Sequence, residues 1–215
     1  MATFVCIHGA GGYGAYWGLV AAELEARGNE VVAMDLPCDQ EVRLGAYVDA
    51  VVDAVGDRRG ELILVAQSLG GFIAPLVCSE LSIEAIVLLA AMVPRPGESG
   101  ADWWANTCHA EAVRAQHLPN DDPETLFTHD VPAEVLASLP PPRNQTATLF
   151  EEPWPLLAWP EVPTTFLLCR DDRFFPAPWL RGVVIDRLGI EPTVIPGGHC
   201  AYLSQPRAVA DAVVR

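Results

Sequence analysis

Ser68 stands in Ala66-Gln67-Ser68-Leu69-Gly70-Gly71, between an apolar run, Leu62 to Ala66, and a helix-like run, Phe72 to Leu81. A serine there occupies a sharp strand-to-helix turn, which tolerates only small residues two positions before and after it. Ala66 and Gly70 meet that demand. The turn aims the Ser68 hydroxyl away from the sheet and sets it at a helix N-terminus, where oriented N–H groups favour developing negative charge. The competing reading is a serine that only caps the helix.

A serine hydroxyl is a weak nucleophile, so it needs a base and a group that orients the base. Arg170-Asp171-Asp172-Arg173-Phe174-Phe175-Pro176 follows the apolar run Thr164 to Cys169, and Pro196-Gly197-Gly198-His199 follows Pro192 to Ile195. Both segments leave the carboxyl ends of strand-like runs, the edge of a parallel sheet where active sites assemble. Ser68, one of the two aspartates and His199 are therefore expected to converge despite their separation in sequence. Their order, serine then acid then histidine, is neither that of chymotrypsin-like nor that of subtilisin-like enzymes.

The first strand-like run, Phe4 to Ile7, ends in His8-Gly9-Ala10-Gly11-Gly12, a turn whose glycines let backbone approach a ligand. An oxyanion hole needs two N–H donors, which we assign to Ala10 and to Leu69, the residue after the nucleophile. A phosphate loop is disfavoured because no Lys-Ser/Thr follows. His8 is expected to hold this loop by a hydrogen bond rather than to transfer protons. His109, His117 and His129 lack metal-ligand spacing and read as polar surface or packing. No metal or organic cofactor is called for.

These turns require a scaffold, and the rest of the chain describes one. Phe4 to Ile7, Glu30 to Met34 and Leu62 to Ala66 alternate with the amphipathic stretches Trp17 to Arg27, Leu44 to Val55 and Leu69 to Leu81. Strand-like runs with no solvated face belong to a parallel sheet covered by helices on both sides. After Ala85 to Ala90 the alternation stops at Pro94-Arg95-Pro96-Gly97. It resumes with Thr164 to Cys169, a helix over Pro178 to Leu188, the strand Pro192 to Ile195 and a last helix over Pro206 to Val214. The prediction is a single α/β domain over 1–215 with about six mainly parallel strands, and an insertion of about 94–160 forming a small helical cap. That insertion carries Trp103, Trp104, Phe127, Phe150, Trp154 and Trp159, and a helix-like piece over Pro132 to Leu139.

Composition narrows the partners. The net charge of −15 opposes nucleic acid and anionic membrane surfaces, and a small, uncharged molecule fits better. All 13 basic residues are arginine, which removes lysine Schiff-base chemistry and the P-loop lysine. The longest apolar run, Ala85 to Val93, is far short of the roughly 18 residues of a membrane span. The N-terminus shows no signal-peptide pattern, so a cytoplasmic protein is expected. Six cysteines without a Cys-x-x-Cys pair read as buried thiols.

On the four motifs quoted above the sequence resembles the α/β-hydrolase superfamily over nearly its whole length. In size and compact cap it is similar to the methyl-ester esterase and hydroxynitrile lyase branch and related bacterial hydrolases. The resemblance implies an α/β-hydrolase fold, and it implies Asp172, four residues before Pro176, as the acid, with Asp171 the fallback. It also implies an esterase rather than a lyase, since the lyases carry threonine where this chain has Gly9 and lysine where it has Cys200.

The expected activity is hydrolysis of a small, apolar or aromatic carboxylic ester by Ser68, His199 and Asp172 through an acyl-enzyme. Gly9, Tyr13, Trp17, Trp103 and Trp104 are the expected pocket residues. Rivals are a lyase, cofactor-free dioxygenase or C–C hydrolase that uses His199 as base, and a ligand-binding receptor on the same fold.

Overall fold

The computed structural model describes residues 1–214; Arg215, the last residue of the expected domain, lies outside the described residues. In chain order the first half reads β1 (Thr3–Ile7), a 3-10 turn (Gly14–Trp17) running into α1 (Gly18–Glu25), β2 (Glu30–Ala33), α2 (Leu44–Val55), β3 (Leu62–Gln67), α3 (Gly70–Val77) and β4 (Ala85–Leu89). Four short helices follow: α4 (Gly100–Asn106), α5 (His109–Arg114), α6 (Ala133–Ala137) and α7 (Thr148–Glu151), with a π-helical turn at Glu124–Thr128. The alternation then resumes as β5 (Thr164–Cys169), α8 (Ala177–Leu188), β6 (Thr193–Ile195), α9 (Ala201–Ser204) and α10 (Pro206–Val213).

The six strands form one parallel sheet in the order β2-β1-β3-β4-β5-β6, as expected of an α/β-hydrolase fold. Side chains alternate between its faces with the period of two that a strand imposes. Val5, Ile7, Leu64, Ala66, Ile86, Leu88, Phe166 and Leu168 face one way, against α2, α3 and α8. Phe4, Cys6, Val65, Val87, Leu89, Leu167 and Cys169 face the other, against α1, α9 and α10. Each fully buried aliphatic side chain contributes about 1.5–3 kcal/mol, so a sheet covered on both sides is the main source of stability.

This order makes the chain leave β1 for one edge at β2 and cross back to β3 on the other side of β1. Neighbouring strands whose connections run in opposite directions open a crevice at their carboxyl ends. Ile7 pairs with Ala66, so the turn at Gly9–Ala10 and the turn at Ser68 leave the sheet side by side.

The chain between β4 and β5 lies outside the sheet, its one strand-like contact among the described residues being the bridge between Ser99 and Pro153. Its indoles pin it to the scaffold: Trp103 Nε1 donates to Val93 O and Trp154 Nε1 to Phe72 O, both at 3.0 Å. A buried ion pair, Glu98 with Arg187 of α8, fixes its base, and Ser99 and Asp102 form a capping box that starts α4. None of the described helices is long and apolar enough to cross a membrane. The cysteines are unpaired; Cys6, Cys38, Cys169 and Cys200 are buried as expected, whereas Cys78 is half-buried and Cys108 exposed.

Candidate active site

Ser68 has φ of +52°, a left-handed conformation that is uncommon for any residue with a side chain. The turn is held from three sides. The Ser68 N–H donates to Leu89 O, and its carbonyl accepts from the N–H groups of Gly71 and Met92. A Cβ on Gly70 would lie 3.1 Å from Ile7 O and 3.3 Å from the Ala66 Cβ, and one on Gly71 would lie 1.9 Å from Met92 O. The small residues of the motif are thus a packing requirement of the turn.

Beside it, the loop after β1 is ordered by His8. The Leu36 N–H donates to His8 Nε2 at 3.0 Å, which leaves the proton on Nδ1, and Nδ1–H donates to Gly9 O at 2.7 Å. Burial pushes the His8 pKa down to about 4, with the Arg143 charge adding to it, so the ring is neutral. Because a trans peptide sets its N–H opposite its C=O, fixing Gly9 O also fixes the direction of the Ala10 N–H. Among the described residues neither the Ala10 nor the Leu69 N–H donates to protein backbone. A Cβ on Gly9 would meet Gln67 Oε1 at 2.4 Å and the Ser68 Cβ at 2.9 Å, so Gly9 abuts the elbow.

The structure brings Asp172, not Asp171, to His199: His199 Nδ1–H donates to Asp172 Oδ2 at 2.9 Å, with both side chains buried. The other carboxylate oxygen accepts from the N–H groups of Phe174 and Phe175 at 2.9 and 2.8 Å. Nδ1 is therefore the protonated nitrogen, leaving Nε2 as the basic one. Asp171 is exposed; its hydrogen bond from Arg170 holds its carboxyl below the usual range, and it accepts from the Gly197 N–H. Gln67 Nε2 donates to His199 O at 3.2 Å and so ties the histidine loop to the elbow.

Aromatic rings surround this pair. Phe127, Phe174 and Phe175 stand 5.4, 5.0 and 4.9 Å from the His199 ring centroid. Ser68 is 8% and His199 2% exposed, so both lie below the surface. Two recesses of about 410 Å³, one beside α2 and Arg143 and one behind Asp172 beside Pro178 and Trp179, reach neither Ser68 nor His199.

The expected pocket needs correction. Trp17 has no exposed surface and stacks on Tyr202 at 5.0 Å, in the core between the sheet and α1, α9 and α10. Trp103 is equally buried, wedged against Trp104, Phe175 and Trp179. Trp104 is half-buried among Trp103, His109 and Phe174. One face of Tyr13 is covered by the Arg143 guanidinium, 4.5 Å from the ring centroid. Of the five residues, Gly9 abuts Ser68, whose Cβ would lie 2.9 Å from a Cβ at position 9. His109 packs in the aromatic cluster with Nε2 donating to Phe174 O, and burial lowers its pKa; His129 Nε2 donates to Asp171 O, and His117 is exposed.

Sequence reasoning missed three residues. Gln67 is described above. Asp130 accepts through Oδ2 from the Gly198 N–H and the Ser204 hydroxyl, both at 2.7 Å, next to His199. Arg143 binds the loop after β1. A further sequence signal is Gly9, Gly11 and Gly14 at the Gly-x-Gly-x-x-Gly spacing of dinucleotide sites. Here protein fills the approach: a Cβ on Gly11 would meet Arg143 O at 2.4 Å, one on Gly14 would meet Met34 backbone at 2.9 Å, and Asp35 is engaged by the Gly14 N–H.

A pyrethroid hydrolase from Sphingobium wenxiniae is 26% identical to this chain over 97% of its length and 85% of that protein's. The crystal structure of a pyrethroid hydrolase from Sphingobium faniae superposes with a TM-score of 0.81 at 24% identity, covering 99% of this chain and 96% of that one. Polyneuridine aldehyde esterase superposes with a TM-score of 0.80 at 18% identity, covering 100% and 98%. The model of the alpha/beta hydrolase family matches residues 4–212, and the chain belongs to that family.

Proposed function

We propose that this protein is a serine hydrolase that cleaves small, apolar or aromatic carboxylic esters, with Ser68 as nucleophile, His199 as base and Asp172 as its orienting acid. The observation that carries the reading is the buried 2.9 Å His199–Asp172 hydrogen bond, tied through Gln67 to a serine in a left-handed elbow. The 26% identical relative is named a pyrethroid hydrolase, and ester hydrolysis is carried over from it as part of this proposal.

In the reaction Ser68 Oγ attacks the ester carbonyl carbon while His199 Nε2 takes the hydroxyl proton. The carbonyl oxygen becomes an oxyanion held by the Ala10 and Leu69 N–H groups, a contribution of about 3 kcal/mol per donor in comparable enzymes. His199 then returns the proton to the alkoxide as its bond to the acyl carbon breaks. Water, deprotonated by His199, attacks the acyl-enzyme, and as the bond to Ser68 Oγ breaks His199 gives that proton to Oγ, releasing the acid and restoring Ser68 and the neutral imidazole. Asp172 fixes the tautomer and offsets the imidazolium charge.

Within a single domain the inserted segment, about residues 94–160, serves as the cap. Phe127 from it and Phe174 from the acid loop supply apolar walls, which favours neutral substrates. The free cysteines fit a cytoplasmic location, and the charge of −15 argues against nucleic-acid partners.

A fluorophosphonate probe is expected to label Ser68, located by mass spectrometry, and Ser68→Ala to abolish both labelling and aryl-ester turnover. Folded protein that neither labels nor turns over any neutral ester would refute the reading. A preference for small anionic over neutral apolar esters would refute the substrate class alone.

A further inference from the structure

We infer that Arg143, which the inserted segment contributes, is a positioning residue for the oxyanion loop: it holds the Gly9–Gly12 turn in the shape that presents the Ala10 N–H. The inference rests on the hydrolase reading above.

The turn is rich in glycine, and Gly11 lies at φ of +64°, so its own sequence does little to keep one conformation. Arg143 grips it at three points. Its backbone N–H donates to Gly11 O at 2.8 Å, while Nη2 and Nε both donate to Gly12 O at 2.6 and 3.1 Å. The guanidinium also lies over the Tyr13 ring at 4.5 Å. Gln145 adds a fourth point by accepting from the Gly11 N–H at 3.4 Å. With His8 bound to Gly9 O, the carbonyls of Gly9, Gly11 and Gly12 all have fixed partners.

The arginine is itself held. The Tyr16 hydroxyl donates to Pro140 O on one side, and Thr146 donates from N–H to Cys38 O and from its hydroxyl to Gln40 O on the other. Arg143 is thus the middle of a strap pinned at both ends to loops of the core. Its ion pair with Asp39 is long, 3.8 Å, and Asp39 is more than half exposed, so that pair contributes little. A role in gripping a substrate anion is disfavoured because Nε and Nη2 are engaged by Gly12 O and Nη1 lies beside Asp39. A planar fork that bonds twice to one carbonyl while stacking on an aromatic ring is a task for arginine that lysine does not reproduce.

Oxyanion bonds strengthen as charge develops, so a loosened loop raises the barrier without weakening ground-state binding. Arg143→Ala is expected to lower kcat about 10- to 100-fold with KM within about threefold, given that losing one such donor outright costs about 100- to 1000-fold. The rate of fluorophosphonate labelling at Ser68 and the affinity of a trifluoromethyl ketone should fall by the same factor, while affinity for the product acid holds. Wild-type protein is assayed alongside: its failure to label or turn over would refute the hydrolase reading and not this step. If the wild type is active and folded Arg143→Ala keeps kcat within about twofold, or changes KM alone, the inference is overturned. Should that variant not fold, Arg143→Gln carries the same two outcomes.

Discussion

Acidification offers a direct test of the neutral, two-handed role of His8. The ring accepts from the Leu36 N–H and donates to Gly9 O, and protonation would set a donor against a donor at Nε2. Its folded pKa of about 4 lies below the ordinary 6.5, so the unfolded chain takes up the proton first as pH falls. Stability rises with pH wherever the unfolded state binds more protons, so this contribution is complete above about 6.5 and gone below about 4. At about 1.36 kcal/mol per pH unit, that window is worth about 3 kcal/mol. Carboxylates lose stability over part of the same range, so the assay is a difference: urea unfolding of wild type and His8→Asn at each pH from 7 to 4. The variant starts less stable, and the gap is expected to narrow by about 3 kcal/mol on reaching pH 4. Two curves that stay parallel within about 0.5 kcal/mol would refute a neutral, buried His8.

Asp172→Asn is expected to cut kcat by about ten-thousand-fold by favouring the wrong tautomer, while Asp171→Asn stays within about tenfold; ester turnover decides, and the reverse ranking moves the acid role to Asp171. Arg187→Ala strands Glu98 in the interior and should cost about 3–5 kcal/mol in urea unfolding, whereas replacing both with methionine should recover most of that loss. Trp17→Phe is expected to leave KM unchanged, since the indole is enclosed by the core; a shifted KM would return Trp17 to the pocket.

What the sequence revealed depended on how local the cause was. The α2 helix runs from Leu44 to Val55 as its spacing predicts, because Leu44, Tyr47, Val48, Val51 and Val55 make one buried stripe. The expected helix over 69–81 ends at Val77 instead, the chain turning through Ser79 and Glu80 by tight i→i+3 bonds, which apolar content alone does not reveal. The elbow, the acid loop and the histidine loop were visible because each is a short motif at the end of a strand. Trp17 and Trp103 misled because an aromatic side chain buries against scaffold as readily as against ligand. Arg143 and Asp130 were invisible for a different reason: Arg143 meets its partners about 131 positions away and Asp130 its own about 68 away, in a segment without a motif.

The elbow should cost stability, and Ser68→Gly measures how much. Ser68 at φ of +52° and Ala90 at +43° are both left-handed residues with side chains, and they flank the same β4 terminus, whose Leu89 carbonyl holds the Ser68 N–H. Such conformations cost about 1–2 kcal/mol each and persist only where surrounding contacts over-determine them. Glycine at 68 relieves the strain but adds about 0.5–1 kcal/mol of unfolded-chain entropy to be lost on folding. Ser68→Ala keeps the strain and removes only a hydroxyl without a protein partner among the described residues, so it is the reference. The glycine variant is expected to exceed the alanine variant by about 1 kcal/mol, a rise in Tm of about 2–4 °C for a chain this long, with both inactive. A glycine variant less stable than the alanine variant by the full entropic cost, about 0.5–1 kcal/mol, would mean that the turn is unstrained. The serine's left-handed geometry would then follow from packing alone, with no stability given up to expose the hydroxyl.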